Sequence, residues 1–400
     1  MDLRSGFPYS LLQHGIITSY PSLQQNIATD VAIIGGGISG ALTAWYLSQA
    51  GFDVVVVDRR HIGMGSTVAS TSLLQYEIDV PLYELINKVG EKSATRSYCL
   101  CREAIQIMAS LAHKLRVKDS FRKKPSFQFA SYHKHQTNLQ KEFSLRKKIG
   151  FPVHWLDEKD VREKYGFQKP CGILSADGAE ADAYLLTHAL LQKCISRGMQ
   201  VFDHTEITKI SHRRKGVELI TNDRKKISAH KLVIACGYES QQYIPKKVQD
   251  LNSTYAIVSE PGPKKEFWYK NSLIWETKEP YLYLRTTADN RILVGGKDIP
   301  WSDPQKRDKL LSSKARALEL SFKKLFPTIP FRTDFKWAGS FASTKDGLPY
   351  IGSIPQRPHT FFALGLGGNG ITFSIIAARI IRDNLIGKKN TDAGLFSFER

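Results

Sequence analysis

Hydrophobic and polar positions near the start of the chain predict a strand, a helix and a second strand. Residues 31–34 and 54–57 are continuous apolar runs, which are typical of strands buried on both faces of a parallel sheet. The segment between the two runs has the spacing of a helix. Strand, helix and strand in this order predict a βαβ unit.

Three glycines and one acidic residue make this unit a candidate nucleotide site. Gly35, Gly37 and Gly40 fit the pattern G-x-G-x-x-G, whose glycines allow a tight turn, close approach to a pyrophosphate and close helix packing. Amides at the helix start then bind phosphate. Asp58 lies 23 residues after Gly35, where a carboxylate can accept hydrogen bonds from a ribose. The motif predicts a dinucleotide without deciding between FAD and NAD.

Later parts of the chain predict a second group of strands. Residues 126–132 alternate as a strand, and His133 and His135 are predicted to continue it on a solvated face rather than in a metal site. Aromatic, alternating segments at 255–259, 281–285 and 291–295 predict an antiparallel sheet. Helices are expected after Asp79, between Asp182 and Gly198, and from Asp303 to Pro327.

These elements predict an α/β fold in which two domains are interleaved along the chain. The Rossmann-like domain is assigned residues 1–82, 150–240 and 331–400. The substrate domain, built on the antiparallel sheet, is assigned residues 83–149 and 241–330.

Four segments resemble those of one flavoprotein superfamily. Residues 59–82, RRHIGMGSTVASTSLLQYEIDVPL, resemble the second FAD-contacting segment of the D-amino-acid oxidase, glycine oxidase and sarcosine oxidase superfamily. Residues 233–238 resemble its strand ending in Ala-x-Gly, and residues 346–352 resemble its late Asp-Gly-x-Pro-x-x-Gly turn. Residues 363–371 resemble the loop that closes over the flavin ring. The resemblance spans essentially the whole chain and implies an FAD-binding domain of the glutathione-reductase type.

The glycine motif and the resemblance together indicate which residues hold FAD. Covalent members attach the ring through a histidine after Gly-Ser-Thr or a cysteine before the late turn. Here Val68 and Ala69 follow Thr67, and residues 337–345 contain no cysteine, so non-covalent FAD is expected. The expected FAD-binding residues come from the glycine motif and the later segments: Gly35, Gly37, Ile38, Ser39, Gly40, Asp58, Arg59, Gly65, Ser66, Thr67, Ser70, Thr71, Ser72, Ile207, Cys236, Gly237, Gly367, Gly368, Asn369, Gly370, Ile371 and Thr372.

The loop at 367–370 precedes a helix-patterned run at 371–384. Its amides and the helix dipole are expected to stabilise the pyrimidine edge of the flavin, which becomes negative on reduction. Substrate recognition depends on Tyr281, Tyr283 and Arg285, which share one strand face. Arg285 is predicted to pair with a substrate carboxylate. A solvated arginine beside core tyrosines fits the pattern equally well, and no catalytic residue can be assigned.

Composition narrows the function classes. The net charge of +19 is spread over short basic clusters such as 122–124 and 146–148, which are predicted to be solvated, and no nucleic-acid partner is expected. Zinc-protease and serine-hydrolase motifs are absent, and no metal is expected. Five cysteines without framework spacing, no visible signal peptide and no apolar run of membrane-spanning length predict a cytoplasmic protein.

The sequence therefore predicts an FAD-dependent oxidoreductase that removes a hydride from the carbon next to nitrogen of an amino acid or secondary amine. The alternatives are an FAD-dependent dehydrogenase of a hydroxy acid or polyol phosphate and a flavin-dependent RNA-modifying protein. Oxygen, a quinone or another electron carrier would accept the electrons. Oxidase and dehydrogenase stay open, because 292–294 is Ile-Leu-Val where related oxidases can carry a lysine.

Overall fold

The computed structural model describes residues 2–117, 119–263 and 265–400. Within these ranges the strands are β1 (Arg4–Gly6), β2 (Ile27–Ile34), β3 (Val54–Val57), β4 (Leu73–Leu74), β5 (Phe121–Phe129), β6 (Val153–Asp157), β7 (Cys171–Ala181), β8 (Gln200–Phe202), β9 (Ile207–Arg213), β10 (Gly216–Thr221), β11 (Lys226–Ile234), β12 (Asp250–Ser259), β13 (Leu273–Glu276), β14 (Tyr283–Thr286), β15 (Ile292–Ile299), β16 (Thr333–Ser343), β17 (Tyr350–Ser353) and β18 (Thr360–Leu364).

The α-helices of the same ranges are α1 (Tyr9–His14), α2 (Ile38–Gln49), α3 (Ser66–Ala69), α4 (Leu82–Val89), α5 (Glu91–Leu115), α6 (Gln136–Lys148), α7 (Glu158–Tyr165), α8 (Ala183–Ile195), α9 (Pro304–Leu325) and α10 (Gly370–Leu385). Two predicted helix starts are confirmed, and both acidic residues are N-caps: Asp182 accepts from the amide of Leu185 at 2.9 Å and Asp303 from that of Lys306 at 3.0 Å. None of the described helices is long and apolar enough to cross a membrane.

The first sheet contains the predicted βαβ unit. Its strand order is β17-β18-β11-β2-β3-β8, with β10 and β9 attached through β11. The run from β18 to β8 is parallel. Val31 and Ile33 enter one hydrophobic cluster and Ala32 and Ile34 another, so both faces of β2 are buried. Burial on both faces explains why the strand is a continuous apolar run.

The second sheet contains the three predicted antiparallel strands at its centre. Its order is β1-β16-β12-β15-β14-β13-β5-β7-β4, with β6 paired to β7. Strands β12, β15 and β14 are antiparallel neighbours, and Val294 of β15 faces Ile257 on one side and Leu284 on the other. Helix α9 buries Leu318 and Phe322 in the cluster that covers this sheet.

Two expectations about the chain's organisation need correction. The Rossmann-like domain was assigned residues 1–82, 150–240 and 331–400, yet five strands from these ranges, β1, β4, β6, β7 and β16, pair in the second sheet. Strand β16 pairs with β12 along its length, from Asp250 opposite Ser343 to Ser259 opposite Thr333, a long-range pairing with no local sequence signal. His133 and His135 do not lie on a strand, because they form a 3-10 turn that leads into α6.

Two of the basic clusters are also less solvated than expected. Arg146 is 1% exposed, with its guanidinium 2.7 Å from Glu142 and 3.3 Å from Glu77. Lys124 is 8% exposed and lies 2.7 Å from Glu180. Buried cations need carboxylate partners, and the partners Glu77 and Glu180 are distant in sequence.

Candidate active site

A cavity of about 520 Å³ is lined by residues of both sheets. One part of its lining comes from the glycine loop after β2, Asp58, and the segment around α3; we call it the glycine-loop region. Another part consists of Asp79, Trp275, Glu279, Tyr281, Tyr283 and Asp298; we call it the tyrosine region. The C-terminal loop 367–372 also lines the cavity.

The glycine-loop region is held by main-chain hydrogen bonds. Asp58 accepts from the amides of Gly36 and Arg60, each at 2.8 Å, and burial raises the pKa of its carboxyl. The amide of Ile38 at the start of α2 donates to the Thr67 hydroxyl at 3.0 Å. A Cβ at Gly37 would lie 2.8 Å from that hydroxyl oxygen, so a side chain at this position would displace Thr67 and project into the cavity lining.

Gly40 has a different task from the other two glycines of the motif. A Cβ there would collide with the carbonyl oxygen of Gly35, which itself has φ +113°. Gly40 does not line the cavity, so it serves the close packing of α2 on β2. The other residues predicted to hold FAD all line the cavity.

Buried hydroxyls test whether this lining fits a bound cofactor. The Oγ atoms of Ser66 and Ser72 are buried and have no hydrogen-bond partner within the described residues, and both residues line the cavity. Buried polar groups are normally paired, so unpaired hydroxyls in a cavity wall fit a polar ligand. Cys236 also lines the cavity, and burial raises the pKa of its thiol to about 12, which keeps it neutral.

The C-terminal loop is tied to the segment before α4. Asn369 donates through Nδ2 to the carbonyl oxygens of Glu77, at 2.8 Å, and Gln75, at 3.2 Å. The Gly368 amide donates to Asp79 Oδ2 at 2.8 Å, so this amide already has an acceptor. Helix α10 begins at Gly370, and the amides of its first turn have no acceptor inside the helix. The sequence had indicated Asp79 only as a helix start.

The tyrosine region combines aromatic rings with carboxylates. Tyr281 lies between Trp275 and Tyr283, with ring centroids 6.3 Å and 5.8 Å away. Its hydroxyl donates to Asp79 Oδ1 at 3.4 Å. Burial raises the pKa of Asp79 and raises that of Asp298 to about 6. Tyr281 and Tyr283 were predicted to contact substrate, whereas the carboxylates were missed because no local motif marks them.

Arg285 is not placed to bind a substrate carboxylate. It is 5% exposed and does not line the cavity. Its Nε donates to the Thr71 carbonyl at 2.6 Å and its terminal nitrogen to Glu180 at 3.3 Å. Tyr283 begins β14 and Tyr281 precedes it, and both line the cavity, whereas Arg285, two residues after Tyr283, does not. The Arg285 guanidinium therefore stabilises the backbone around Thr71.

One group of side chains has the composition of a metal site. Ligand atoms of His61, Asp203 and His204 lie within 4.8 Å of one another. His61 Nδ1 is 3.0 Å from Asp203 Oδ2, which also accepts from the Tyr20 amide at 3.2 Å. These hydrogen bonds explain the arrangement without an ion, and the expectation of no metal stays a prediction.

The comparisons with known proteins bear on the cofactor. The DAO family model, described as FAD dependent oxidoreductase, matches residues 30–384. The chain belongs to this family. The resemblance stated from the motifs is thereby confirmed, and the protein is an FAD-dependent oxidoreductase. The glycine cradle and the unpaired serine hydroxyls fit FAD as the ligand.

Similar proteins of this family cover most of the chain. Glycine oxidase of Geobacillus kaustophilus is 24% identical over 398 residues, which is 93% of this chain and 97% of that protein. Gamma-glutamylputrescine oxidoreductase of Escherichia coli is 23% identical over 381 residues, 92% of this chain and 86% of that protein. The crystal structure of the Geobacillus glycine oxidase matches with a TM-score of 0.79 at 21% identity, covering 93% of this chain and 99% of that one. This structural likeness confirms the predicted fold class.

Proposed function

We propose that the protein oxidises a carbon–nitrogen bond of an amine or amino acid. The carbon loses a hydrogen with its two electrons, the nitrogen loses a proton, and water hydrolyses the resulting imine. Bound FAD supplies the acceptor for the hydride. The observation that carries the proposal is the position of Asp79, which joins the two parts of the cavity. Its carboxylate accepts a hydrogen bond from the Gly368 amide of the C-terminal loop and another from the Tyr281 hydroxyl of the tyrosine region.

FAD would be held without a covalent bond. The pyrophosphate would lie against Gly35 and Gly37, the ribose near Asp58, and the ring beside residues 367–372, all of which line the cavity. The hydroxyls of Ser66 and Ser72 would gain the partners they lack within the described chain. The protein's task is then to orient the substrate carbon and to exclude water.

The charges in the cavity favour an amine over the alternative substrates. A polyol phosphate, a hydroxy acid or the carboxylate of an amino acid would each need a cation, but the lysine and arginine residues of the described cavity lining are Arg59 and Arg60, beside Asp58. This distribution favours an amine without a carboxylate. The carboxylates of the tyrosine region would also repel the backbone of an RNA. Two similar proteins are named for nitrogen compounds, glycine oxidase and gamma-glutamylputrescine oxidoreductase, which is consistent with an amine.

The electron acceptor and the compartment are further parts of the proposal. No lysine of the described residues lines the cavity, including Lys297 just after the Ile-Leu-Val segment, so the structure supplies no lysine for reaction with oxygen among its described residues. Oxygen and a quinone or electron carrier are both retained as acceptors. The five cysteines are free thiols, which suits a reducing cytoplasm: Cys99, Cys101, Cys171, Cys194 and Cys236.

Anaerobic bleaching of the flavin tests the reaction class. The FAD-loaded protein would be mixed with primary amines, secondary amines, amino acids, 2-hydroxy acids and glycerol phosphate. The proposal expects loss of flavin absorbance with at least one nitrogen compound and none with the hydroxyl compounds. Bleaching by a hydroxy acid or a polyol phosphate alone would replace the proposal by the alternative.

A further inference from the structure

The charges that line the cavity are unevenly distributed. Among the described residues that line the cavity, two carry a lysine or arginine side chain: Arg59 and Arg60. Both lie beside Asp58 in the chain and pair with Glu239, with Arg60 at 2.9 Å. The tyrosine region has three carboxylates and, among the described residues, no such cation, although the whole chain has a net charge of +19.

Asp298 provides the clearest sign of a missing partner. Its Oδ1 is buried and has no hydrogen-bond partner in the part of the chain that the structure describes. Among the other carboxylates of the cavity wall, Glu276 accepts from Ser131 at 2.9 Å and from the Leu282 amide at 3.1 Å, and Glu142 pairs with Arg146 at 2.7 Å. Glu77 Oε2 also lacks a partner within the described residues, but Glu77 Oε1 lies 3.3 Å from the Arg146 guanidinium, so this carboxylate already has a buried cation. A buried unpaired carboxylate oxygen requires a donor, and an ammonium group is a donor of opposite charge.

Asp79 and Glu279 add negative charge close by. Asp79 is exposed to the cavity, although burial by the surrounding protein raises the pKa of its carboxyl. Glu279 is exposed and also lines the cavity, and partial desolvation and the neighbouring Asp79 and Asp298 raise its pKa to about 7. Carboxylates that repel one another bind a cation more favourably than an anion.

The aromatic walls suit the same ligand. Trp275, Tyr281 and Tyr283 line the cavity in consecutive ring contacts of 6.3 Å and 5.8 Å. The faces of such rings attract ammonium groups, and the attraction grows when water is excluded. Rings and carboxylates together form a surface for an organic cation.

We propose that the tyrosine region binds a di- or polyamine, with Asp79 and Asp298 holding the ammonium group that does not react, and that a substrate carboxylate is not required. The reacting nitrogen is the uncharged one, since its lone pair assists the loss of hydride. Turnover of such a ligand rests on the proposed function, whereas its binding does not.

Three four-carbon compounds test the charge preference. Each compound has an amine at one end of a four-carbon chain, and only the other end differs. That other end is cationic in 1,4-diaminobutane, neutral in butylamine and anionic in 4-aminobutanoate. Calorimetry on the FAD-loaded protein without oxygen would give each dissociation constant, and flavin absorbance would report bleaching in the same samples. We expect the diamine to bind about tenfold or more tightly than the other two, the range for a charged hydrogen bond.

Matched variants test whether the carboxylates cause the tighter binding of the diamine. Asp298→Asn and, separately, Asp79→Asn should remove most of the diamine's advantage over butylamine. Asp223→Asn removes the same charge from an exposed turn at the β10–β11 hairpin and should leave the advantage unchanged. The Asp298→Asn test does not depend on the flavin loop, so it stands even if Asp79→Asn loses FAD.

The outcomes separate this inference from the proposed function. Tight diamine binding without bleaching supports the cation site and contradicts oxidation of this amine. Bleaching by 4-aminobutanoate with a dissociation constant equal to or below that of the diamine supports amine oxidation and overturns the cation site. Equal binding of all three compounds, no binding, or an unchanged advantage in both variants also overturns it.

Discussion

The glycine-loop region and the tyrosine region line one cavity but differ in how their carboxylates are hydrogen-bonded. In the glycine-loop region, Asp58 is satisfied by main-chain amides of Gly36 and Arg60, close to it in sequence or in the same motif. In the tyrosine region, Asp79, Glu279 and Asp298 come from distant parts of the chain, and Asp298 Oδ1 lacks a partner among the described residues. The carboxylate of the first region has its hydrogen-bond donors within the protein, whereas a buried carboxylate oxygen of the second region has none among the described residues.

This difference separates what is shared with the family from what is particular to this chain. A dinucleotide needs close main-chain approach, which glycines provide whatever the substrate is. Substrate choice depends on a few side chains whose net charge sets the sign of the preferred ligand.

Gly37→Val should abolish FAD binding. A Cβ at this position already lies 2.8 Å from Thr67 Oγ1, and the branched side chain would occupy space needed by the pyrophosphate. Flavin absorbance per protein after gel filtration gives the result. Gly394→Ala is the matched control, because a Cβ there meets nothing within 4 Å. A Gly37→Val protein with full flavin content would contradict the assignment of this region.

Arg285→Ala should destabilise the protein instead of selectively weakening substrate binding. Glu180 would lose one of its buried cations, and breaking a buried ion pair costs about 3–5 kcal/mol. The midpoint temperature of thermal unfolding should fall clearly. The affinity for FAD should also fall, because the Thr71 carbonyl loses its hydrogen-bond donor. Arg213→Ala removes an exposed pair with Glu218 and should cost no more than about 1 kcal/mol. Unchanged stability with a raised KM would restore Arg285 as a substrate residue.

Diamine binding should strengthen as pH rises from 5 to 7. Burial and, to a smaller extent, Asp79 raise the pKa of Asp298 to about 6, opposed by a hydrogen bond from Thr254 and by Lys314, so this carboxyl is mainly neutral at pH 5 and charged at pH 7. Its ionised fraction, and with it the affinity, rises about tenfold, while an amine of pKa about 10 stays protonated.

Glu279, which faces Asp79, Asp298, Glu84 and Glu276, should extend the rise toward pH 8, because its pKa is about 7. Calorimetry across this pH range measures the dissociation constants. Asp298→Asn should flatten the lower part of the profile. Affinity that is constant or falls between pH 5 and 7 would be incompatible with carboxylates as the ligands.

Asp79→Asn should raise the reduction potential of the flavin by a small amount. The start of α10 favours negative charge on the reduced ring, and the Asp79 carboxylate at the Gly368 amide opposes it. Removal of one such charge corresponds to roughly 10 to 40 mV for a two-electron couple. Sulfite, which adds negative charge to the flavin, should bind more tightly to the variant. An unchanged potential and sulfite affinity would mean that the loop is only structural.

Local patterns in the sequence predicted the elements that local forces decide. The βαβ unit and the caps at Asp182 and Asp303 follow from short-range spacing and are present in the structure. The strand predicted at 281–285 is present as β14, which begins at Tyr283 and leaves Tyr281 before the strand. The pairing of β16 with β12 could not be predicted in this way, because strand pairing over about 80 residues has no local periodicity.

The same limit applies to the candidate site. Arg285 has the residue type and face of a carboxylate ligand, but the buried Glu180 that binds it lies about 100 residues earlier. Asp79 and Asp298 carry no motif, and their importance depends on an enclosed cavity that raises their pKa values. A long-range ion pair with Glu180 therefore keeps Arg285 away from the substrate. Burial by distant parts of the chain makes Asp79 and Asp298 candidate ligands that no local pattern predicts.

The most direct test of the central claim is the rate of anaerobic flavin bleaching divided by the dissociation constant, measured for 1,4-diaminobutane and for 4-aminobutanoate. An acidic, aromatic substrate region beside FAD predicts that this ratio is about tenfold or more higher for the diamine. A ratio that is equal for the two compounds, or higher for 4-aminobutanoate, would contradict it.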